Sequence, residues 1–150
     1  MVEKVYDCFV IRSAELYLNK AEAEAMLDKA EAKQTIKTLL NNRFEGGIPD
    51  VDGLNEKDLI SFIRDERRRE LCFEAHRWFD LRRYAVSSKY PEKKSIRHET
   101  YDKNGVLEGD YVLKPYGEDP AWVLPIPGYE IVYNQGNLVD NPQRVERKLE

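Results

Sequence analysis

The sequence predicts a mostly α-helical protein that continues into a small β-hairpin and an irregular, proline-rich segment. Residues 1–90 contain one proline, Pro49, whereas residues 91–150 contain the other six. Because proline removes a backbone donor and breaks helix interiors, only the first 90 residues can be mostly helical. Apolar residues recur every three or four positions in that part, which is typical of helices. An Asn104-Gly105 pair further along marks a tight hairpin turn, since both residues tolerate positive φ.

Three helices are predicted in residues 1–90. The first runs from about Asp7 to Lys29 and the second from about Glu31 to Arg43. A glycine-rich stretch, 46–53, interrupts the helical pattern. The third helix is predicted to be long, beginning after Asn55 as its N-cap and continuing to about Tyr84. The apolar positions that define the first two helices are Ile11, Ala14, Leu18, Ala21, Ala25 and Met26, then Ile36, Leu39 and Leu40.

After residue 90 the pattern changes to strands and turns. Residues 96–101 and 106–113 are the predicted strands on either side of the Asn104-Gly105 turn. The short apolar run 122–124 is closed by prolines, which predicts an edge strand or an extended segment. Residues 128–150 are rich in turn formers and are expected to pack as irregular chain.

Length and composition restrict the class of protein. The chain has 150 residues, which is the size of one ordinary domain, so residues 1–150 are expected to form a single domain. A net charge of −4 argues against nucleic acid as a partner. No apolar run reaches the ~18 residues of a membrane helix, and no signal peptide is predicted behind Met1. Cys8 and Cys72 lie in apolar, helical stretches and are expected to be buried free thiols, with a disulfide as the alternative.

The densest charge cluster lies on the third predicted helix, between residues 66 and 83. Arg67, Glu70 and Glu74 fall on the stripe that should face the core, and burying an unpaired charge costs several kcal/mol. We therefore expect Glu70, Glu74 and Arg77 to be buried and paired at i,i+3 and i,i+4 spacing. A solvated charged face is the alternative. A catalytic carboxylate pair is disfavoured, because neighbouring arginines lower a carboxyl pKa whereas a general acid needs a raised one.

No cofactor and no metal site is predicted, and the sequence contains no nucleotide-binding or hydrolase motif. His76 and His98 lie on different elements, so surface or hydrogen-bonded structural roles are expected for both. The run 67–69 is flanked by glutamates and is weak support for an anion site. Three aromatic residues are candidates for a sugar-stacking platform, with core packing as the alternative: Tyr116, Trp122 and Tyr129.

The first two helices have the size of one helix–turn–helix repeat of the tetratricopeptide kind, which lasts ~34 residues. Such a repeat buries its faces by stacking on neighbours, and about three are needed for stability. The chain is therefore expected to be the end of a longer array. Alone, it is expected to expose apolar residues such as Leu16, Tyr17 or Ile36, and to self-associate or be only modestly stable.

Three ordered motifs resemble those of SusD/RagB-like proteins. Residues 63–83 resemble the family's signature helix, which reads roughly E-R-x-x-E-L-x-x-E-G-x-R-x-x-D-L-x-R, with Ala75 in place of the usual glycine. Residues 12–23 are similar to its R-x-A-E-x-x-L…A-E-A helix. Residues 122–142 are similar to its closing L-P-I-P…E-I…N…N-P stretch, with Asp140 where glutamine is common.

This resemblance implies a fold of tetratricopeptide-like helix pairs that support a loop-rich remainder. It implies a surface-exposed lipoprotein of the outer membrane in Bacteroidetes-type bacteria, which binds a glycan or another nutrient for polysaccharide utilisation. The implied partner is a SusC-like TonB-dependent transporter, and the implied protein is not an enzyme. The matching motifs correspond to the C-terminal portion of longer family members. No ligand-binding residue follows from the resemblance, because such contacts vary between members.

Two alternatives to nutrient binding stay open from the sequence. A stand-alone helix-repeat module that binds a protein or peptide is the first, since the helix pair alone supports it. A small glycoside hydrolase is the second and less favoured one, since the carboxylates on the third helix lie among arginines.

Overall fold

The structure of the protein is a computed structural model, which describes residues 11–141. The mostly α-helical architecture with a small hairpin is confirmed: the described residues contain five α-helices, one short 3-10 helix and a two-stranded sheet. The chain divides between Asp80 and Leu81 into two compact units, which are described separately. No helix in residues 11–141 is both long enough and apolar enough to span a membrane.

The first unit is built on a helix pair, α1 (Ser13–Met26) and α2 (Glu31–Leu40), with α1 also packed against α3 (Glu56–Glu70). Small residues on one face of α1 allow this close packing. The beginning predicted at Asp7 lies outside the described residues. The residues that the three helices bury together are Ala14, Leu18, Ala21, Ala25, Ile36, Leu39, Leu40, Leu59, Ile60 and Ile63.

Two predicted side-chain positions are wrong in this unit. Ile11 precedes α1 and is exposed, because the helix begins only at Ser13. Ile36 is fully buried and was expected to be exposed, because it lies on the apolar face of α2 that forms the core of the pair. Leu16 and Tyr17 are exposed on α1 as expected.

The segment between α2 and α3 is held by lysines of α2. The Lys33 ammonium donates hydrogen bonds to the backbone carbonyls of Asp52 and Leu54 at 2.6 and 2.9 Å. The predicted N-cap of α3 is confirmed, since the Asn55 side chain accepts a hydrogen bond from the Asp58 amide at 3.0 Å. This cap fixes the first turn of the helix that carries most of the charged residues.

The prediction of one long third helix is wrong. α3 ends at Glu70, a turn occupies 71–75, and α4 (His76–Ala85) follows. Phe73 and Ala75 have φ of 64° and 62°, in the left-handed region where an L-residue costs about 1–2 kcal/mol. Ala75 stands where the family pattern has glycine, so the turn explains that glycine. Periodicity cannot detect such a break, because the turn contains neither glycine nor proline.

The turn also changes the environment of Cys72. The thiol is free and exposed, so the expectation that it is buried is wrong. Its position in the turn, rather than inside a helix, removes it from the apolar face. Cys8 lies outside the described residues.

The second unit contains the predicted hairpin. Strands β1 (Ile96–Tyr101) and β2 (Leu107–Leu113) pair antiparallel, with an irregularity between Thr100 and Tyr101. The Asp102 carboxylate accepts hydrogen bonds from the amides of Asn104 and Val106, both at 2.8 Å. Gly105 has a φ of 80°, as the tight turn requires.

The chain after the hairpin is more helical than expected. Pro120–Trp122 form a 3-10 helix in place of the predicted edge strand, because the Asp119 carboxylate accepts the Ala121 amide and caps this turn. The backbone of Val123 is extended and Val123 belongs to neither strand of the described sheet, which agrees at this residue with the extended segment that was the alternative to an edge strand. A short helix, α5 (Gly128–Tyr133), lies in the segment predicted to be irregular. Pro127 is its N-cap residue, and the residues that follow can adopt a helical conformation.

Candidate functional site

The largest polar constellation in the first unit is an arginine–carboxylate network between α1, α3 and the beginning of α4. It joins residues that are distant in sequence through ion pairs of 2.6–3.4 Å. Its members are Arg12, Glu15, Glu22, Arg43, Arg64, Arg67, Glu70, Glu74 and Asp80.

Arg67 is a buried member of the network, at 5% exposure, and its guanidinium has three described partners. Its Nε donates to Asp80 Oδ2 at 2.8 Å, and its Nη1 donates to Asn19 Oδ1 at 2.7 Å. Its Nη2 lies 3.4 Å from Glu15 Oε1. One guanidinium therefore ties α3 to both α1 and α4. A planar fork with five donors suits this role better than an ammonium.

Glu70, the last residue of α3, accepts hydrogen bonds from two arginine side chains. Arg43 donates to both of its carboxylate oxygens, at 2.8 and 2.7 Å, and Arg12 Nη1 donates to Oε1 at 2.6 Å. Arg12 also donates to the Glu70 backbone carbonyl, and its Nε donates to Glu74 Oε2 at 2.9 Å. The Arg12 side chain therefore satisfies carbonyl and carboxylate groups where α3 ends.

These hydrogen bonds shift the titration of both glutamates in the same direction. The pKa of Glu70 is lowered from its ordinary value of 4.5, first by the hydrogen bonds from Arg43 and then by those from Arg12. The pKa of Glu74 is lowered by its hydrogen bonds from Arg12. The same contacts raise the pKa of Arg12. Both carboxylates are therefore fixed as anions, which suits a structural ion pair and not a general acid.

The predicted pairing within the helix is wrong, although Glu70 and Glu74 are both ion-paired. Arg67 pairs with Glu15 and Asp80 rather than with either of these glutamates. The turn at 71–75 removes the i,i+4 geometry on which the prediction depended. Arg77 is half-buried on α4, so the deeply buried arginines are Arg64 and Arg67 of α3 instead.

Two network arginines, Arg12 and Arg43, lie outside α3 and α4 and were not predicted from the sequence. Arg12 belongs to the first family motif and the glutamates to the signature helix, so the presence of both motifs in one chain was the available signal. Arg43 follows α2 and belongs to no motif. Its pairing with Glu70 spans 27 positions, a separation that periodicity cannot reveal.

The two histidines lie on different elements, as the sequence predicted. His76 Nδ1 is 3.8 Å from Glu15 Oε1, at the edge of the network. His98 is exposed on β1. Among residues 11–141, no group of three histidine, cysteine or acidic side chains is placed to hold a metal ion.

The structure brings only two of the three predicted platform aromatics together. Trp122 is buried, its Nε1 donates to the Lys114 carbonyl at 2.7 Å, and Tyr116 packs against it edge-to-face at 5.9 Å between ring centroids. Tyr129 is not part of this pair and is exposed on α5. A buried indole offers no open ring face, so Trp122 and Tyr116 have the packing role that was the alternative to a platform.

Comparison with known proteins identifies the class to which this fold belongs. The features that define the class are the helix pair, the signature helix that is interrupted at 71–75, and the hairpin. The model of the SusD family matches residues 3–143, so the chain belongs to the SusD family. SusD-like protein P2 of Formosa agariphila is 28% identical over 88% of this chain and 25% of its own length. SusD-like protein P38 of the same organism is 41% identical over 48% of this chain and 16% of its own.

Two solved structures support the same assignment. A SusD-like protein from Bacteroides fragilis superposes with a TM-score of 0.55 and 27% identity, over 90% of this chain and 25% of that one. A SusD-like carbohydrate binding protein from Bacteroides vulgatus gives a TM-score of 0.55 and 25% identity, over 89% and 30%. The chain therefore spans about a quarter of the length of these relatives.

Proposed function

We propose that this chain is the C-terminal portion of a SusD-like surface protein that binds carbohydrate and delivers it to a SusC-like TonB-dependent transporter. Such a protein works as an outer-membrane lipoprotein in nutrient uptake. The observation that carries the proposal is the family match over residues 3–143, together with a carbohydrate-binding relative that superposes on 89% of the chain.

The network in the first unit supports a scaffold role within this function. Its carboxylates accept hydrogen bonds from arginines, and the lowered pKa of Glu70 and Glu74 opposes proton donation to a glycosidic oxygen. The three side chains Glu15, Asn19 and Asp80 converge on one buried guanidinium rather than on an open cleft. Binding without turnover is the activity that this chemistry favours.

Glycan binding is tested on the natural full-length protein that contains this chain. A glycan array followed by titration calorimetry should give saturable binding of at least one oligosaccharide class. The Arg68→Ala variant should bind the same oligosaccharides unchanged, since Arg68 is exposed on α3 and its described ion pair lies on its own helix, with Asp65 at 3.6 Å. Absence of binding to every glycan class on the array would contradict the proposal.

The transporter partnership is a separate step of the proposal and needs its own test. Affinity purification of the tagged full-length protein from outer membranes of its native host should recover a TonB-dependent transporter in stoichiometric amount. Recovery of the protein alone, under conditions in which glycan binding persists, would contradict the partnership and leave carbohydrate binding intact.

A further inference from the structure

In the second unit, side-chain hydrogen bonds hold the loop 126–140 at both of its ends. The Ile126 amide donates to Asp140 Oδ1 at 2.9 Å, and Asn141 Nδ2 donates to the Leu124 carbonyl at 2.7 Å. A compact loop of roughly 6–16 residues with adjacent ends is an Ω-loop, a kind that is frequently functional. These two side-chain contacts hold the loop without any strand pairing.

The helix inside this loop presents aromatic rings to solvent. Tyr129, Val132 and Tyr133 are 62%, 77% and 82% exposed, and α5 buries none of its residues. Positions i, i+3 and i+4 lie on one side of a helix, with about 5–6 Å between their Cβ atoms. The two tyrosines therefore lie side by side, one helical turn apart, with an aliphatic side chain between them.

Amide side chains follow the rings directly. The backbone N–H of Asn137 donates to the backbone carbonyl of Asn134 at 3.0 Å, and this hydrogen bond closes a tight turn immediately after α5. Gln135 and Gly136 at its centre have φ of 50° and 83°. A left-handed glutamine is strained, and such strain is concentrated at functional positions. Asn134, Gln135 and Asn137 are all exposed, and each amide both donates and accepts hydrogen bonds.

We infer that Tyr129 and Tyr133 form a stacking platform for a neutral glycan, with the amides of Asn134, Gln135 and Asn137 binding its hydroxyl groups. This inference rests on the proposed carbohydrate binding and gives it a location. Pyranose rings present an apolar C–H face that packs on an aromatic face, and tyrosine supplies rigid contact area at low entropic cost. Rings one helical turn apart suit successive sugars of one chain.

The charge and size of the surface select this ligand over others. Residues 124–141 contain no lysine or arginine and two acids, Glu130 and Asp140, so this segment offers no cation to an acidic polysaccharide. A protein partner buries about 800 Å² on each side. Two tyrosines contribute roughly 300–500 Å² of that. The area that the two tyrosines offer therefore matches a short saccharide and is too small for a protein partner.

The test uses the full-length protein and four neutral probes: maltohexaose, cellohexaose, laminarihexaose and xylohexaose. The Tyr129→Ala/Tyr133→Ala double variant should weaken the best-bound probe by about tenfold or more. The Tyr129→Phe/Tyr133→Phe variant should retain binding, since it keeps both ring faces. Tyr101→Ala, at an exposed tyrosine of β1, is the matched control and should leave affinity unchanged.

The outcomes separate this inference from the proposed function. Unchanged affinity in the double alanine variant, with its melting temperature preserved, would overturn the platform and leave carbohydrate binding in place. Equal losses in the alanine and phenylalanine variants would overturn stacking as the mode of binding. Absence of binding of all four probes by the unaltered protein would overturn the neutral-glycan inference, and the glycan array decides whether the proposed function falls with it.

Discussion

Arg67 shows how a charged residue comes to occupy a core position. Its stem continues the apolar stripe of Ile60 and Ile63, whereas its guanidinium reaches Glu15, Asn19 and Asp80. Long basic side chains commonly combine apolar packing with a polar end in this way. Each donor direction that is described has an oxygen acceptor, so the buried charge is satisfied by hydrogen bonds as well as by opposite charge.

Truncation of Arg67 should be strongly destabilising. Arg67→Ala leaves the buried Asp80 carboxylate and Glu15 without this cation, and we expect a loss of about 3–5 kcal/mol in the free energy of unfolding. Arg68→Ala, one position along and exposed, should cost about 0–1 kcal/mol. Urea denaturation of the two variants measures the difference. Equal losses would show that the network contributes no more than a surface pair.

Glu70 makes stability depend on pH in a defined direction. Its folded-state pKa lies below the ordinary value of 4.5, so its contribution is complete above pH 4.5 and is lost as pH falls towards the folded-state pKa. Glu70→Gln should therefore lower stability at neutral pH and flatten the decline below pH 4.5. The exposed Glu45→Gln variant is the control. A decline of undiminished steepness in Glu70→Gln would contradict the assignment.

The interruption between α3 and α4 is the element that most affects the arrangement of the charged residues. The N-cap Asn55 and the hairpin turn at Asn104-Gly105 were predictable from the sequence, because both are set by local chemistry. The turn at 71–75 was not predictable, because there alanine and phenylalanine adopt the left-handed conformation under tertiary constraint. The network partners of Glu70 were equally hidden, since they are brought together only by the packing of distant helices.

Relief of strain at this turn gives a test of its geometry. Ala75→Gly should stabilise the protein by up to about 1 kcal/mol, because glycine adopts φ of 62° without steric cost. The same substitution at Ala23, exposed in the last turn of α1, should destabilise by up to about 1 kcal/mol. Opposite shifts in melting temperature are expected. A continuous helix across 71–75 would instead make both variants less stable.

The helix pair of the first unit has an apolar face opposite the one that it buries. Leu16, Ala23 and Leu27 are exposed on the side of α1 away from Ala14, Leu18 and Ala21. Repeats of this kind stabilise one another by covering such faces.

The candidate platform on α5 was predicted only in part from the sequence. Tyr129 was named as a platform residue, but it was grouped with the buried Trp122 rather than with Tyr133.

The exposed face of α1 predicts association of the 150-residue chain on its own. Light scattering should show a mass that rises with concentration, and Leu16→Glu should reduce this rise by placing a charge within the apolar face. Val106→Glu, at an exposed apolar position in the hairpin turn, is the control. A chain that stays strictly monomeric and highly stable would contradict the expectation and favour a self-sufficient domain.

Binding of carbohydrate without turnover is the property that separates a SusD-like protein from the hydrolase alternative. The decisive measurement is prolonged incubation of the full-length protein with its best-bound hexasaccharide, followed by chromatography of the sugar. We predict saturable binding by calorimetry and full recovery of the intact hexasaccharide, in the unaltered protein and in Glu70→Gln alike. Shorter products that accumulate with time and disappear in Glu70→Gln would contradict this account, because they would assign catalysis to a carboxylate held here as a structural anion.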